Sequence, residues 1–204
     1  MRKTLTLILS IVLSTNIFAQ EIGTELNEIQ SVANAFISLR DAVAQSDDIS
    51  INKHQGYLRS LNLEYLFDLT CLDSLDTTHK NNDGFVGNLM SDIAKKTERG
   101  ETADGSYRTR TCYIKAGMRS RYELSSKGHQ ELAVIAEAGG LITLKIHVTN
   151  RHGLDKRYDD IKNVKIGLPQ RQVAFDLPEN TRNVIELEII NCGTKDCCCV
   201  IISN

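Results

Sequence analysis

Cysteine is the residue type with the most chemistry to offer in this chain. Cys192, Cys197, Cys198 and Cys199 crowd the C-terminal end, while Cys71 and Cys112 lie well upstream. Thiols can close disulfides, pack as small apolar side chains, or bind a soft metal ion. The run Cys192-Gly-Thr-Lys-Asp-Cys197 reads as the loop of a β-hairpin. A disulfide from Cys192 to Cys197, Cys198 or Cys199 would then close that loop at its mouth, and elimination leaves Cys71 with Cys112. Successive side chains on a strand point to opposite faces, so Cys197 and Cys199 share one face and Cys198 takes the other. A zinc or copper site assembled with His129, His147 or His152 is the competing reading, but the paired Cys-x-x-Cys spacing of such sites is missing.

Carboxylates come next. Glu131, Glu137, Glu186 and Glu188 stand at strand-like positions, where separate strands could bring two of them together as general acid and base. The same pattern also describes a solvated sheet face whose charges guard against edge pairing. His147, outward beside Lys145, is a candidate binding residue on such a face. Asp155, Asp159 and Asp160, near the turn at Gly153, offer the oxygen ligands that calcium prefers. Lys156 and Arg157 between them favour ordinary ion pairs instead. Asn81, Asp83 and Gly84 faintly echo a calcium loop, but its first and twelfth positions would be His79 and Met90, so the match fails. Calcium at the Asp155 loop is therefore the single cofactor candidate, and the sequence leaves any metal at the cysteines unassigned.

Other chemistries lack their motifs. There is no Gly-x-Ser-x-Gly elbow, no His-Glu-x-x-His helix and no phosphate-binding glycine loop. The chain has no Trp and few Tyr, which removes the usual aromatic platform of a sugar-binding module. No block of Lys and Arg suggests a nucleic-acid partner.

The elements that must position these residues are legible from periodicity. Residues 1–19 read as a cleavable secretory signal, with Arg2 and Lys3 ahead of the apolar run Leu5 to Leu13 and Ala19 at the cut. That run is too short to span a bilayer. Arg2 and Lys3 leave with the signal, so 22 of the 24 Lys and Arg residues remain against 26 Asp and Glu. Such a chain is expected to be secreted or periplasmic. Ile22, Leu26, Ile29, Val32, Ala33, Phe36, Leu39 and Val43 recur at helical spacing and predict one amphipathic helix. Its stripe must dock on a sandwich or pair with a second copy of the chain. A shorter helix or two turns are expected from Tyr57 to Leu69 after Gly56, and one more short helix from Phe85 to Lys96.

From Tyr107 the period changes to two. Strands are expected over 113–125, 131–137, 141–149, 173–177, 184–191 and 197–202, with glycine or proline turns between them. Ile142, Leu144, Ile146 and Val148 face inward, as do Ile185, Leu187 and Ile189, whereas Lys145, His147, Glu186 and Glu188 face out. The fold class is thus α+β, with N-terminal helices followed by an antiparallel β-sandwich of immunoglobulin-like or jelly-roll-like type. The expected division is a helical segment over 20–72, a linker with a short helix over 73–106, and the sandwich over 107–204.

The stretch Glu131 to Glu137, Gly139-Gly140, the strand Leu141 to Val148, the Asp155, Asp159 and Asp160 loop, and Val173-Ala174-Phe175-Asp176-Leu177-Pro178 together resemble the bacterial pre-peptidase C-terminal family. The resemblance implies a small secreted β-sandwich, of a type usually appended to peptidases and sometimes carrying acidic calcium loops. This chain departs from that pattern in having no peptidase domain and in its cysteine-dense end. The sequence therefore points to an exported, non-catalytic binding or interaction module. The alternative is a small secreted hydrolase whose acidic or histidine residues converge on the sheet face.

Overall fold

The computed structural model describes residues 27–73, 84–101, 107–126, 130–150, 157–158, 164–165, 170–175 and 183–204. The signal at 1–19, the helix start at 20–26, the linker residues 74–83 and the calcium candidates Asp155, Asp159 and Asp160 lie outside the described residues, as do His129 and His152.

The amphipathic helix is present as α1 (Asn27–Ala44), and its stripe docks within the chain. Ile29, Val32, Ala33, Phe36 and Leu39 are all buried, packed with Ala133, Ile135, Val200 and Ile202 of the sheet beneath. Each large side chain of that stripe contributes roughly 1.5–3 kcal/mol by leaving water. The second helix begins earlier than its apolar pattern predicts. Helix α2 (Asp48–Ser60) runs through Gly56, because Asp47 caps it by accepting from Ser50 N at 3.1 Å and Ser50 Oγ at 2.6 Å. Leu63, Leu66 and Leu69 are buried but not helical. They belong to two short strands and the bend between them, β1 (Leu63–Tyr65) and β2 (Leu69–Cys71). The 20–72 stretch therefore supplies sheet as well as helix. The expected third helix follows a 3₁₀ turn at Gly84–Val86 and becomes α3 (Leu89–Glu98), which buries Leu89, Met90 and Ile93.

The strand expected over 113–125 is two. β3 (Tyr107–Ile114) and β4 (Arg119–Ser126) join through a turn in which Met118 N donates to Lys115 O and Gly117 takes φ of 69°. The remaining strands are β5 (Gln130–Ala136), β6 (Ile142–Asn150), β7 (Arg157–Tyr158), β8 (Val164–Lys165), β9 (Gln170–Phe175), β10 (Asn183–Asn191) and β11 (Cys197–Ser203). They form two packed sheets, ordered β1-β3-β11-β5-β9 and β2-β4-β10-β6-β7, with β8 also pairing β6. All the pairs are antiparallel except β1 with β3, which is parallel.

Three layers result. Cys112, Ile114, Leu132, Val134, Cys199 and Ile201 of the first sheet meet Tyr122, Leu124, Leu144, Ile146, Ile185 and Leu187 of the second in one core. The helices close the other face of the first sheet, so we call it the covered sheet and its partner the open sheet. Every residue of β11 is buried. The expected C-terminal hairpin does not exist: β10 already has β4 and β6 on its two edges, and β11 has β3 and β5. Residues 192–196 are instead a crossover between sheets. Asn191, itself buried, holds that crossover by donating to Ile114 O at 3.0 Å and Lys195 O at 2.8 Å, while accepting from Gly193 N at 2.9 Å.

Gly84 shows how tightly the helical layer meets β11. It has φ of 55°, and a Cβ there would lie 2.6 Å from Cys198 Cβ. Gly84→Ala combines a left-handed backbone with this overlap and should cost about 3 kcal/mol, read as a lower midpoint at unchanged slope in urea unfolding.

Candidate functional site

Helices cover the back of the covered sheet, and among the described residues the outward side of the open sheet carries charged side chains in place of apolar ones. β4 sends Arg119, Arg121 and Glu123 outward while burying Ser120, Tyr122 and Leu124. β10 does the same with Glu186 and Glu188 between Ile185, Leu187 and Ile189, and β6 with Lys145 and His147 between Leu144 and Ile146. The strand register converts these alternations into rows. One row runs Thr70, Glu123, Glu186, His147, and the next runs Arg121, Glu188, Lys145.

In the second row a carboxylate lies between cations. Glu188, whose side chain is 18% exposed, has Lys145 Nζ at 3.2 Å and Arg119 Nη1 at 3.8 Å. Arg121 is held from the neighbouring edge. Asp73 accepts from its Nε at 3.0 Å, its Nη2 at 2.9 Å and its backbone N at 2.7 Å. Hydrogen bonding and attraction to Asp73 hold the Arg121 guanidinium charged above its ordinary range, and Glu188 and Glu186 add to this. Leu72 N donates to Arg121 O at 2.8 Å, which seats the 41% exposed Leu72 beside the charges. Leu72, Arg121, Lys145, His147, Glu186 and Glu188 line a shallow cleft of about 190 Å³. That is smaller than the roughly 300–1,000 Å³ of a typical small-molecule pocket.

The sequence candidates divide between the sheets. His147 and the pair Glu186 and Glu188 come together on the open face. Glu131 and Glu137 do not join them. Glu131 is buried at the covered sheet, where its N–H donates to Asn204 Oδ1 at 2.7 Å, and Glu137 accepts from Cys198 N at 2.7 Å. The Glu137 carboxylate thus serves the fold, and Glu131 is buried away from the open face. Arg119, Arg121, Glu123 and Asp73 are the residues that sequence reasoning passed over. Their signal was the charged alternation Arg119-Ser-Arg121-Tyr-Glu123, hidden inside what read as one long strand.

No disulfide joins any two of the six cysteines in this structure. Cys192 is exposed at the end of the open sheet, 3.2 Å from Thr143 Oγ1, and so does not close a hairpin with Cys197, Cys198 or Cys199. Cys71 and Cys112 lie on opposite sheets and are not joined. Cys197 and Cys199 do share the inward face of β11, with their sulfurs 3.8 Å apart, while Cys198 packs outward beneath Gly84. Hydrogen bonding with Cys112, then with Cys197, together with burial pushes the Cys199 thiol well up. Its contact with Cys199 draws the Cys197 thiol down. Among the described residues no group of three or more His, Cys, Asp or Glu side chains could hold a metal ion. Nor is any helix among them long and apolar enough to cross a membrane.

No protein-family model matches the chain, and no curated protein matches it significantly. Solved structures similar to part of it include a mitogen derived from Yersinia pseudotuberculosis, over 48% of this chain and 85% of that one at 11% identity and TM-score 0.36. A periplasmic inhibitor of g-type lysozyme from Aeromonas hydrophila matches over 48% and 84%, at 12% identity and TM-score 0.32. TmCBM61, solved in complex with β-1,4-galactotriose, matches over 48% and 81%, at 8% identity and TM-score 0.29. Scores this low assign neither a family nor a ligand.

The ion row on the open face makes a salt-dependent contribution to stability. Glu188→Gln should cost about 0.5–1 kcal/mol in urea unfolding at low salt. The cost should shrink at 1 M salt, where the screening length falls to about 3 Å.

Proposed function

We propose that the protein is an exported, non-catalytic binding module whose contact surface is the outward face of the open sheet, with Arg121, Lys145, His147, Glu186 and Glu188 at its centre. The observation that carries this reading is the layering: helices occupy one side of the sandwich, and the opposite side presents ordered rows of charge on rigid strands. Side chains fixed on adjacent strands offer a partner a pre-set charge pattern, which favours specificity and fast encounter. The face is shallow, as suits a macromolecular partner more than an enclosed substrate. Export rests on the signal-like residues 1–19.

The second reading is a small secreted hydrolase. It is favoured by His147 standing opposite Glu186 in the register, an imidazole beside a carboxylate, with Glu123 on the far side.

A photo-crosslinker at Lys145 should capture a partner from the exported fraction, whereas one at Asn34, on the exposed side of α1, should not. The double variant Arg121→Glu, Lys145→Glu should weaken that capture at least tenfold while the melting temperature stays within about 4 °C. Equal capture at both positions would overturn the surface assignment. Turnover of an ester, peptide or glycoside library that disappears with Glu186→Gln or His147→Ala would establish the hydrolase instead.

A further inference from the structure

We infer that Cys112 and Cys199 are the protein's oxidisable pair and that they close a disulfide between β3 and β11. The two residues are direct partners in the antiparallel register. Both are buried, and both face the core between the sheets. Opposed residues of an antiparallel pair have α-carbons about 4.5–5.5 Å apart, inside the roughly 4.4–6.8 Å that a disulfide spans. A side-chain rotation is then the main adjustment a bond requires.

The other thiols are less well placed. Cys198 points to the opposite face of β11, towards Gly84. Cys71 and Cys192 belong to the open sheet, one on β2 and one just beyond β10. Cys197 touches Cys199, but the two sit on one strand with one residue between them, which places their α-carbons about 6.4–6.8 Å apart, near the outer limit for a bridge.

The chemistry balances by exchange. A small-molecule or protein disulfide accepts the electrons: the Cys112 thiolate attacks one of its sulfurs and releases a thiol, and the Cys199 thiolate then attacks the mixed disulfide and releases the second. One bond forms between the two Sγ atoms, the external disulfide is broken, and its two sulfurs leave as thiols carrying the two protons. Since both cysteines are buried in the finished sandwich, the reaction belongs to the stage at which β11 joins the sheet. In the cell the oxidant is that of the exported compartment, so this part rests on the export reading.

Refolding the reduced, denatured protein in a glutathione redox buffer, followed by alkylation and non-reduced peptide mapping, tests the pairing without reference to location. The expected result is four alkylated thiols and one linked pair, Cys112 with Cys199. Reducing that product should lower the melting temperature by roughly 10 °C, since the bridge closes a long loop. Cys198→Ser should keep the linkage, whereas Cys112→Ser should leave Cys199 alkylated. Six free thiols, a Cys71 to Cys112 link or any link to Cys192 would overturn the assignment, and the map of the unsubstituted protein decides even if Cys112→Ser fails to fold. A linkage that forms in glutathione but not in protein recovered from an exporting host would overturn export while leaving the pairing intact.

Discussion

The central strand of the covered sheet has to stay dry on both sides, and most of the architecture follows from that. β11 at its centre has no face for water: Cys197, Cys199 and Ile201 point into the space between the sheets, and Val200 and Ile202 towards the helices. Small side chains are used where the layers come closest. A Cβ at Gly140 would lie 2.6 Å from Cys197 Sγ, just as one at Gly84 would meet Cys198. The cysteines thus behave first as compact apolar residues that permit close approach. With the centre of one sheet given over to burial, the charged rows that join β4, β10 and β6 fall to the other.

That division explains what could be read from the residues. Leu141 to Thr149 and Val184 to Asn191 were legible because the open sheet has one dry and one wet face, and their alternation states which is which. The same signal placed Lys145, His147, Glu186 and Glu188 outward. Cys197 to Ile202 gave no alternation, as expected of a strand dry on both faces, so its neighbours could not be inferred. β1 and β2 are three residues each, too short to show any period, and their leucines continued a helical spacing by coincidence. Gly56 looked like a helix breaker, but the Asp47 cap, together with packing of Leu58, holds the helix through it.

The candidate site was half legible for a related reason. Residue types on one strand can be assigned to a face, but the rows that join Arg121 to Glu188 and Lys145, or Glu186 to His147, depend on pairing between β4, β10 and β6. Chain order does not state that register. It also does not state that Glu131 and Glu137 belong to the other sheet, where they accept or position backbone hydrogen bonds. Four carboxylates that look equivalent in the sequence therefore divide between two places in the fold.

The strand order carries a consequence for how the molecule comes into being. β10 lies between β4 and β6, and β11 between β3 and β5, so the last two strands of the sandwich in chain order are the middle strands of both sheets. Until they are in place, β3, β4, β5 and β6 each present an unpaired inner edge, and neither sheet is continuous. A chain made from its N-terminus cannot finish folding early, because its centre is supplied late. Completion of both sheets waits on Asn183–Ser203, so neither sheet closes ahead of the other.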